Sequence, residues 1–340
     1  MAALRAFAAV LLLASICAAE AKAYPTALAA LESNKNLTLF TKLAEASGLK
    51  PFLKSPLTKA TIFAPTDAAI LALAKVLKRT PASLLTPESS LLVDRVIGQH
   101  IVLGSSLKAA SVTDGAKLKT AGHGTLKVVV TKAARKLLAA SWRALLQAKA
   151  GGKVVVVGPQ NNATVVGTDL IGGNVTIHVI DAVLLPSNVF PTLAAALASS
   201  PTVSVLASFI AKDPKLAAAA ADPTTNITLL APVNKALEAV AATPAGKALI
   251  ANAAKLHNVL AYHAIKPATI VPTFKGKGTE NFETLAGVPV TVTKVISKKG
   301  NTTTGVVTIT GKAGGKAVIR KHNIIAGASY VNVIDGVLLP

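Results

Sequence analysis

Apolar residues recur along the chain with two different periods, which separate candidate helices from candidate strands. Apolar positions three and four residues apart predict helices over 37–49, 68–77 and 89–100. Runs of β-branched residues predict strands at 61–64, 126–131, 154–157 and 175–180, and again at 288–293, 305–310 and 331–334. Because helical segments come first and most strands follow, the pattern indicates an α+β domain rather than alternating β and α units.

Local signals mark the ends of the first elements. Gly48 is a stop for the helix over 37–49, since glycine readily takes the left-handed conformation that ends helices. Pro65 ends the strand at 61–64, and either Thr66 or Asp67 is placed to cap the next helix. The strand is therefore expected to pass into the helix without a long loop.

Three segments of the first half recur in the same order in the second half. The pairs are TIFAPTDAAI at 61–70 with TLLAPVNKAL at 228–237, QHIVLG at 99–104 with YHAIKP at 262–267, and IHVIDAVLLP at 177–186 with VNVIDGVLLP at 331–340. Their separations drift, which indicates a duplicated domain with loop insertions rather than a short-period solenoid. We place the copies at 24–186 and 189–340, with a boundary near Ser187 and Asn188.

Residues 1–23 have the pattern of a secretory signal peptide. Arg5 precedes an apolar run over 6–19, and small residues at Ala21 and Ala23 predict cleavage before Tyr24. The run is short for a membrane span, so the mature chain is expected to be secreted without a transmembrane segment. The alternative is an uncleaved N-terminal anchor.

The repeated motifs carry a resemblance to a known family. The order T-x-F-A-P-T-D-x-A, then Tyr-His, then [HN]-V-I-D-x-V-L-L-P resembles the fasciclin domain, and the whole mature chain is similar to tandem fasciclin-like adhesion proteins of algae and plants. The resemblance implies two α+β domains, each a β-wedge of two packed sheets with surrounding helices. It also implies a non-catalytic adhesion or matrix-organising role in the extracellular matrix or cell wall, with no cofactor.

The chain departs from this pattern at several positions. Gln99 stands where the family has Tyr, so Tyr262-His263 is the complete pair. Thr66-Asp67 of the first copy becomes Val233-Asn234 in the second. A Pro/Ser/Thr-rich region and a hydrophobic C-terminal tail are both missing, so the lipid-anchored form of some plant members is not expected.

Polar residues of the first two motifs recur in register between the copies. We predict two structural polar pairs, Asp67 with His100 and Asn234 with His263, because a buried imidazole needs a hydrogen-bond partner. The alternative, implied by the resemblance, is that Tyr262 and His263, with His100 in the first copy, belong to an exposed adhesion motif.

Asp181 and Asp335 occupy the same position in the two copies of the last motif. Each lies between apolar strand residues and the final Leu-Leu-Pro. An aspartate there is expected to fix a turn by accepting hydrogen bonds from backbone N–H groups.

Five N-x-Thr sequons are candidate glycosylation sites: Asn36, Asn162, Asn174, Asn226 and Asn301. Asn301, in the polar segment KKGNTTTG, is the best acceptor. Asn174 and Asn226 adjoin apolar strand patterns, which leave less room for a glycan.

Catalytic motifs are missing from the sequence. It contains no G-x-S-x-G, H-E-x-x-H or G-x-x-x-x-G-K-[ST], and its one cysteine, Cys17, lies in the leader. The 6 histidines and 15 acidic residues form no spacing typical of a metal site or a carboxylate pair. We therefore expect neither an enzyme nor a metal protein.

The net charge of +21 is the strongest remaining clue to function. Residues 24–186 carry 19 basic and 8 acidic side chains, and residues 187–340 carry 15 and 6. Most of the basic residues are Lys, whereas base reading in nucleic acids favours Arg and aromatic residues, so we expect no nucleic-acid partner. An exported lysine-rich protein is expected to meet anionic polysaccharide or a cell-surface protein. The alternatives are that lysine serves solubility, or that the protein is a soluble secreted carbohydrate- or small-ligand-binding protein.

Residues 133–150, AARKLLAASWRALLQAKA, interrupt the repeat, because the second copy has only SKKGNTTTG in the comparable region. Leu138, Trp142 and Leu145 share one helical face. This predicts an inserted helix packed on its own domain, or alternatively a surface helix for a partner or a membrane interface.

Overall fold

The computed structural model describes residues 23–130, 153–270, 278–299 and 302–340. The chain forms two compact units, one of Met1–Leu71 with Pro81–Pro186 and one of Ala72–Thr80 with Ser187–Pro340. The predicted insertion helix at 133–150, the sequon Asn301 and the leader up to residue 22 lie outside the described residues. The domain boundaries proposed from the repeat, 24–186 and 189–340, stay a prediction.

The first half of the sequence begins with helices and ends with strands. Its helices are α1 Ala27–Glu32, α2 Thr38–Ala44, α3 Lys50–Lys54, α4 Asp67–Val76 and α5 Ser90–Gln99. Its strands are β1 Ala23–Tyr24, β2 Ala60–Pro65, β3 Ile101–Leu103, β4 Lys117–Lys119, β5 Thr125–Val130, β6 Val154–Val157, β7 Asn162–Gly172 and β8 Val175–Ile180.

The second half repeats this order with more helix. Its helices are α6 Leu193–Ala198, α7 Ser204–Lys212, α8 Pro214–Ala221, α9 Asn234–Ala242, α10 Pro244–Ala251 and α11 Ala253–Tyr262. Its strands are β9 Val189–Phe190, β10 Thr228–Pro232, β11 Ala264–Ile265, β12 Gly278–Phe282, β13 Val290–Lys299, β14 Thr302–Thr310, β15 Lys316–Ala326 and β16 Ser329–Ile334.

The described strands of each half form one sheet, and the two sheets have the same strand order. The orders are β3-β2-β8-β7-β6-β5-β4 and β11-β10-β16-β15-β14-β13-β12, with β1 on β7 and β9 on β15. The first and last motifs of each copy form neighbouring parallel strands, β2 with β8 and β10 with β16. Every residue of β2 and β8 is buried, which explains why both read as continuous apolar runs rather than alternating ones.

A long bulged strand bends each sheet into a wedge. The start of β7 pairs with β6, and the rest pairs with β8 after shifts of register. The two parts of the sheet face each other across one core, in which Val128 and Val156 pack with Phe63 and Ile180. The prediction of two tandem α+β domains, each a β-wedge with surrounding helices, is confirmed.

Helix ends follow the local signals, with two refinements. The helix predicted over 37–49 ends as α2 at Ala44 and continues as a π-helical turn, in which Gly48 has a φ of +72° before α3 begins. Thr66 caps α4, since its hydroxyl accepts a hydrogen bond from the N–H of Ala69 at 3.2 Å. Asp67 is the first residue of α4, and its side chain accepts a hydrogen bond from α2 instead of capping α4.

Candidate functional site

A buried histidine joins the end of a helix to the Leu-Leu-Pro motif in each domain. In the first domain, His100 directly follows α5, and its Nδ1 lies 2.6 Å from the carbonyl oxygen of Val96, one turn back. Its Nε2 lies 3.0 Å from the backbone N of Leu184. We call this arrangement of imidazole, helix carbonyl and motif N–H the histidine clip.

The second domain contains the same clip. Nδ1 of His263 lies 2.8 Å from the carbonyl oxygen of Val259, and its Nε2 lies 3.0 Å from the backbone N of Leu338. Both histidines are buried, and their ring nitrogens have equivalent partners. The repeated Gln-His and Tyr-His sequences therefore specify one structural contact used twice.

The clip requires a neutral imidazole with its proton on Nδ1. The helix carbonyl can only accept, so Nδ1 donates, and the motif N–H can only donate, so Nε2 accepts. A second proton on Nε2 would face the N–H of Leu184 or Leu338 and break that hydrogen bond. Burial lowers the pKa of His100 and of His263 to about 4 in each case, against the weaker opposing effect of the helix carbonyl.

The predicted pairing of Asp67 with His100 is wrong, because Asp67 is held by α2. Its carboxylate accepts hydrogen bonds from the hydroxyl of Thr38 at 2.5 Å and from the N–H of Leu39 at 2.8 Å. The start of a helix leaves backbone N–H groups without an intrahelical partner, and the carboxylate serves these donors of α2 rather than the imidazole.

The predicted pairing of Asn234 with His263 is wrong for the same reason. The Asn234 Oδ1 accepts from the N–H of Val205, while its Nδ2 donates to Pro201 O and Ser204 Oγ, all at 2.9–3.0 Å. Asp67 thus fixes the start of α2, and Asn234 fixes the start of α7 in the same way.

Replacing Asp67 by Asn is expected to change the free energy of unfolding by less than about 0.5 kcal/mol, whereas Asp67→Ala lowers it by about 1–2 kcal/mol. An amide keeps the acceptor for Leu39 and offers a donor to the Thr38 hydroxyl, as Asn234 does to Ser204. Urea unfolding of both variants measures the difference. An Asn variant as unstable as the Ala variant would show that the negative charge, not the hydrogen bonding, matters here.

Tyr262 and Gln99, the residues before the two histidines, are also buried. Tyr262 donates from its hydroxyl to the Pro289 carbonyl at 3.2 Å and accepts from the N–H of Lys312 at 2.8 Å. The smaller Gln99 accepts from the Thr120 hydroxyl at 3.3 Å. An adhesion motif displayed on the surface, formed by Tyr262, His263 and His100, does not agree with this burial, since these side chains are inaccessible to a partner in the folded domain.

Asp181 and Asp335 accept hydrogen bonds from the backbone, as predicted for these positions, but on a neighbouring strand. Asp181 Oδ1 accepts from the N–H of Thr164 on β7 at 2.6 Å, and Asp335 Oδ1 accepts from Val318 on β15 at 2.7 Å. Asp335 also pairs with Arg320. Both aspartates therefore extend the pairing of the last strand with its long bulged neighbour, rather than closing a turn of their own.

The sequons Asn36, Asn162, Asn174 and Asn226 are exposed. Asn174 lies in the turn between β7 and β8, where its exposure leaves room for a glycan. The Oδ1 of Asn226 accepts a hydrogen bond from Ala268 N at 2.9 Å, so this amide is partly held by the fold. Glycosylation of these sites stays a prediction.

Two absences among the described residues bear on other functions. Within residues 23–130, 153–270, 278–299 and 302–340, no three His, Cys, Asp or Glu side chains are grouped closely enough to hold a metal ion. Among the helices of these same segments, none has both the length and the apolar character needed to cross a bilayer.

The fold and the histidine clips define a protein of two homologous domains. The repeated histidines of these domains hold the end of a helix to the Leu-Leu-Pro motif. The fasciclin-domain family model matches the chain twice, at residues 35–186 and 201–340. The chain therefore belongs to the fasciclin-domain family. Fasciclin domains are generally adhesion modules of extracellular or cell-surface proteins, and the family model indicates no enzyme.

Two individual proteins are similar to this chain, one over about a third of its length and the other over most of it. Protein sll1483 of Synechocystis sp. is 35% identical over 127 residues, which are 37% of this chain and 54% of that protein. The alignment thus spans about half the length of this curated relative. A FAS1 domain pair from the insect cell adhesion molecule Fasciclin I matches with a TM-score of 0.42 and 15% identity, covering 89% of this chain and 96% of that one.

Proposed function

We propose that this protein is a secreted, non-catalytic adhesion or matrix-organising module that binds anionic polysaccharide of an extracellular matrix or cell wall. Residues 1–23 act as its signal peptide, cleaved before Tyr24, and residues 24–186 and 189–340 form the two modules. Membership of the fasciclin-domain family supports the adhesion role. The distribution of lysine supports the polyanionic partner.

The lysine side chains that the structure describes in both domains face solvent. Every lysine whose side chain is described is exposed, except Lys294, which is half-buried. The positive charge of these described lysines is therefore presented to the surroundings rather than neutralised in a core. A cationic surface of this kind attracts polyanions over about one Debye length, roughly 8–10 Å at physiological salt.

Retention on an anionic polysaccharide column across a salt series tests this proposal. Residues 24–340 are expected to bind immobilised pectate at low salt and to elute as NaCl rises, because counterion release makes such binding salt-dependent. A neutral polysaccharide column is the control and should not retain the protein. Failure to bind at low salt, or elution that does not depend on the salt concentration, would contradict the proposal of a polyanionic partner.

A soluble secreted carbohydrate- or small-ligand-binding protein is the second candidate. It is favoured by a groove of about 560 Å³ in the second domain, which is within the usual size range of small-molecule sites. The two candidates differ in their dependence on ligand length. A matrix module gains affinity as the oligosaccharide lengthens, whereas a small-ligand protein saturates with one or two sugar units.

A further inference from the structure

The groove of the second domain lies between the junction of α7 with α8 and the junction of α10 with α11. Its floor is apolar and includes Phe209 and Leu256. Its polar lining consists of Lys212, Asp213, Lys215 and His257. We call it the lysine groove; both of its lysines are exposed.

The one carboxylate of the lysine groove is already used by the protein. Asp213 Oδ1 accepts from the N–H groups of Lys215 and Leu216 at 3.0 and 3.1 Å, which caps α8. Its Oδ2 accepts from Nδ1 of His257 at 2.5 Å, and this hydrogen bond is the main cause that lowers the pKa of Asp213. The carboxylate stays ionised but is shared among three donors, so Lys212 and Lys215 leave the lining with a net positive charge.

The first domain contains a groove at the corresponding place with the opposite charge. The residues equivalent by repeat spacing to Asp213, Lys215 and His257 are Ser47, Leu49 and Asp94, and all three line a groove of about 280 Å³. Among the described residues that line this groove, Asp94 is the charged one. At equivalent locations, the groove of the first domain thus has an anionic lining and the groove of the second domain has a cationic one.

We propose that the lysine groove binds an anionic sugar unit of the polysaccharide, with Lys212 and Lys215 on its carboxylate or sulfate and the apolar floor under its ring. This inference rests on the proposed function and assigns its principal contact to the second domain. A volume of about 560 Å³ is ample for one or two sugar units. The positive lining complements the acidic group, and the corresponding groove of the first domain, lined by Asp94, would repel it.

The test compares two double variants of the full mature chain with the same change of net charge. Lys212→Gln/Lys215→Gln removes the two groove lysines, and Lys316→Gln/Lys321→Gln removes two exposed lysines of β15 outside the groove. Affinities for oligogalacturonate, a sulfated oligosaccharide and a neutral maltooligosaccharide are measured by isothermal titration calorimetry. Circular dichroism melting checks that all variants are folded. Both double variants should fold, because Lys→Gln changes at exposed positions have little effect on stability.

The groove variant is expected to bind oligogalacturonate about tenfold more weakly than the wild type, and the control variant less than about twofold. The slope of log K against log salt concentration should also become shallower by about one in the groove variant, because the two lysines together neutralise one acidic group. A preference for the carboxylated or the sulfated probe identifies which acidic group the groove takes.

Equal loss in both variants would overturn the groove proposal while leaving polyanion binding by the whole surface intact. Absence of binding to either anionic probe by the wild type would overturn the proposed function, and the groove proposal with it. Equal affinity for the neutral probe would also overturn the groove proposal, because the lysines would then contribute nothing to recognition.

Discussion

Lowering the pH from about 7.5 to about 5 is expected to reduce the free energy of unfolding by about 2 kcal/mol for each histidine clip. The folded-state pKa of His100 and His263, about 4, is below the ordinary value of 6.5 that the unfolded chain has. The unfolded chain therefore binds more protons between these two values, and stability falls as the pH falls through this window. From about pH 7.5 upward the contribution is constant, because neither the folded nor the unfolded chain then protonates these histidines.

The first domain is expected to lose more stability with acid than the second. His178 on β8 is buried, its Nε2 lies 2.9 Å from the Leu107 carbonyl, and burial lowers its pKa. The second domain has Asn332 at this position, whose Oδ1 accepts from the N–H of Asn323 at 2.6 Å. Since an amide does not titrate, the first domain carries a buried titratable ring for which the second has no equivalent at this position.

Urea unfolding at several pH values, with hydrogen exchange read by mass spectrometry to assign each transition to a domain, measures this effect. The variant His263→Gln should flatten the pH dependence of the second domain, at a cost in stability at neutral pH. His123→Asn is the matched control, because His123 is exposed and its φ of +61° suits Asn. A wild-type stability that stays constant between pH 7.5 and 5 would contradict the neutral, buried clip.

Three short strands of the first domain were predictable from the sequence because their apolar, β-branched residues leave a simple pattern. β2, β6 and β8 are short and made mostly of β-branched and other apolar residues, and the structure places them within a residue of the predicted ranges. The repeat also predicted that the two halves share one fold. Identical strand orders in the two sheets are the structural form of that repeat.

The long strands β7 and β15 were not predicted, and the reason is their bulges. Asp169 and Asn323 have positive φ values of 55° and 46° and lie at equivalent places in the two strands. Shifts of register next to them break the alternation of apolar and polar residues on which strand prediction depends. The two strands that bend the wedge are for that reason the ones whose pattern is least regular.

The partners of the histidines could not be predicted from residue types. The groups that they bind are backbone N–H and C=O groups of Leu184, Val96 and their counterparts, and every residue type except proline offers both. Comparing the copies position by position, at Ser47, Leu49 and Asp94, would have revealed the change of charge that forms the lysine groove.

Replacing Tyr262 by Ala is expected to lower the free energy of unfolding of the second domain by about 4 kcal/mol. Tyr262 is fully buried among Leu230, Val292 and Ile309, so truncation leaves a cavity in that core. Tyr262→Phe keeps the ring but leaves the Lys312 N–H without its acceptor, and is expected to cost about 1–2 kcal/mol. Val306→Ala is the control and should be close to neutral, because the Val306 side chain on β14 is exposed.

These stability effects separate a structural role of Tyr262-His263 from a direct adhesive one. If Tyr262 acts through the fold, Tyr262→Phe at a temperature where it is fully folded should bind anionic polysaccharide as the wild type does. Tyr262→Ala should then lose binding in proportion to the fraction unfolded, measured on the same samples by circular dichroism. A folded Tyr262→Phe protein that has lost binding would mean that the hydroxyl is reached by the partner, which requires the Tyr262 side chain to leave its place against Pro289 and Lys312.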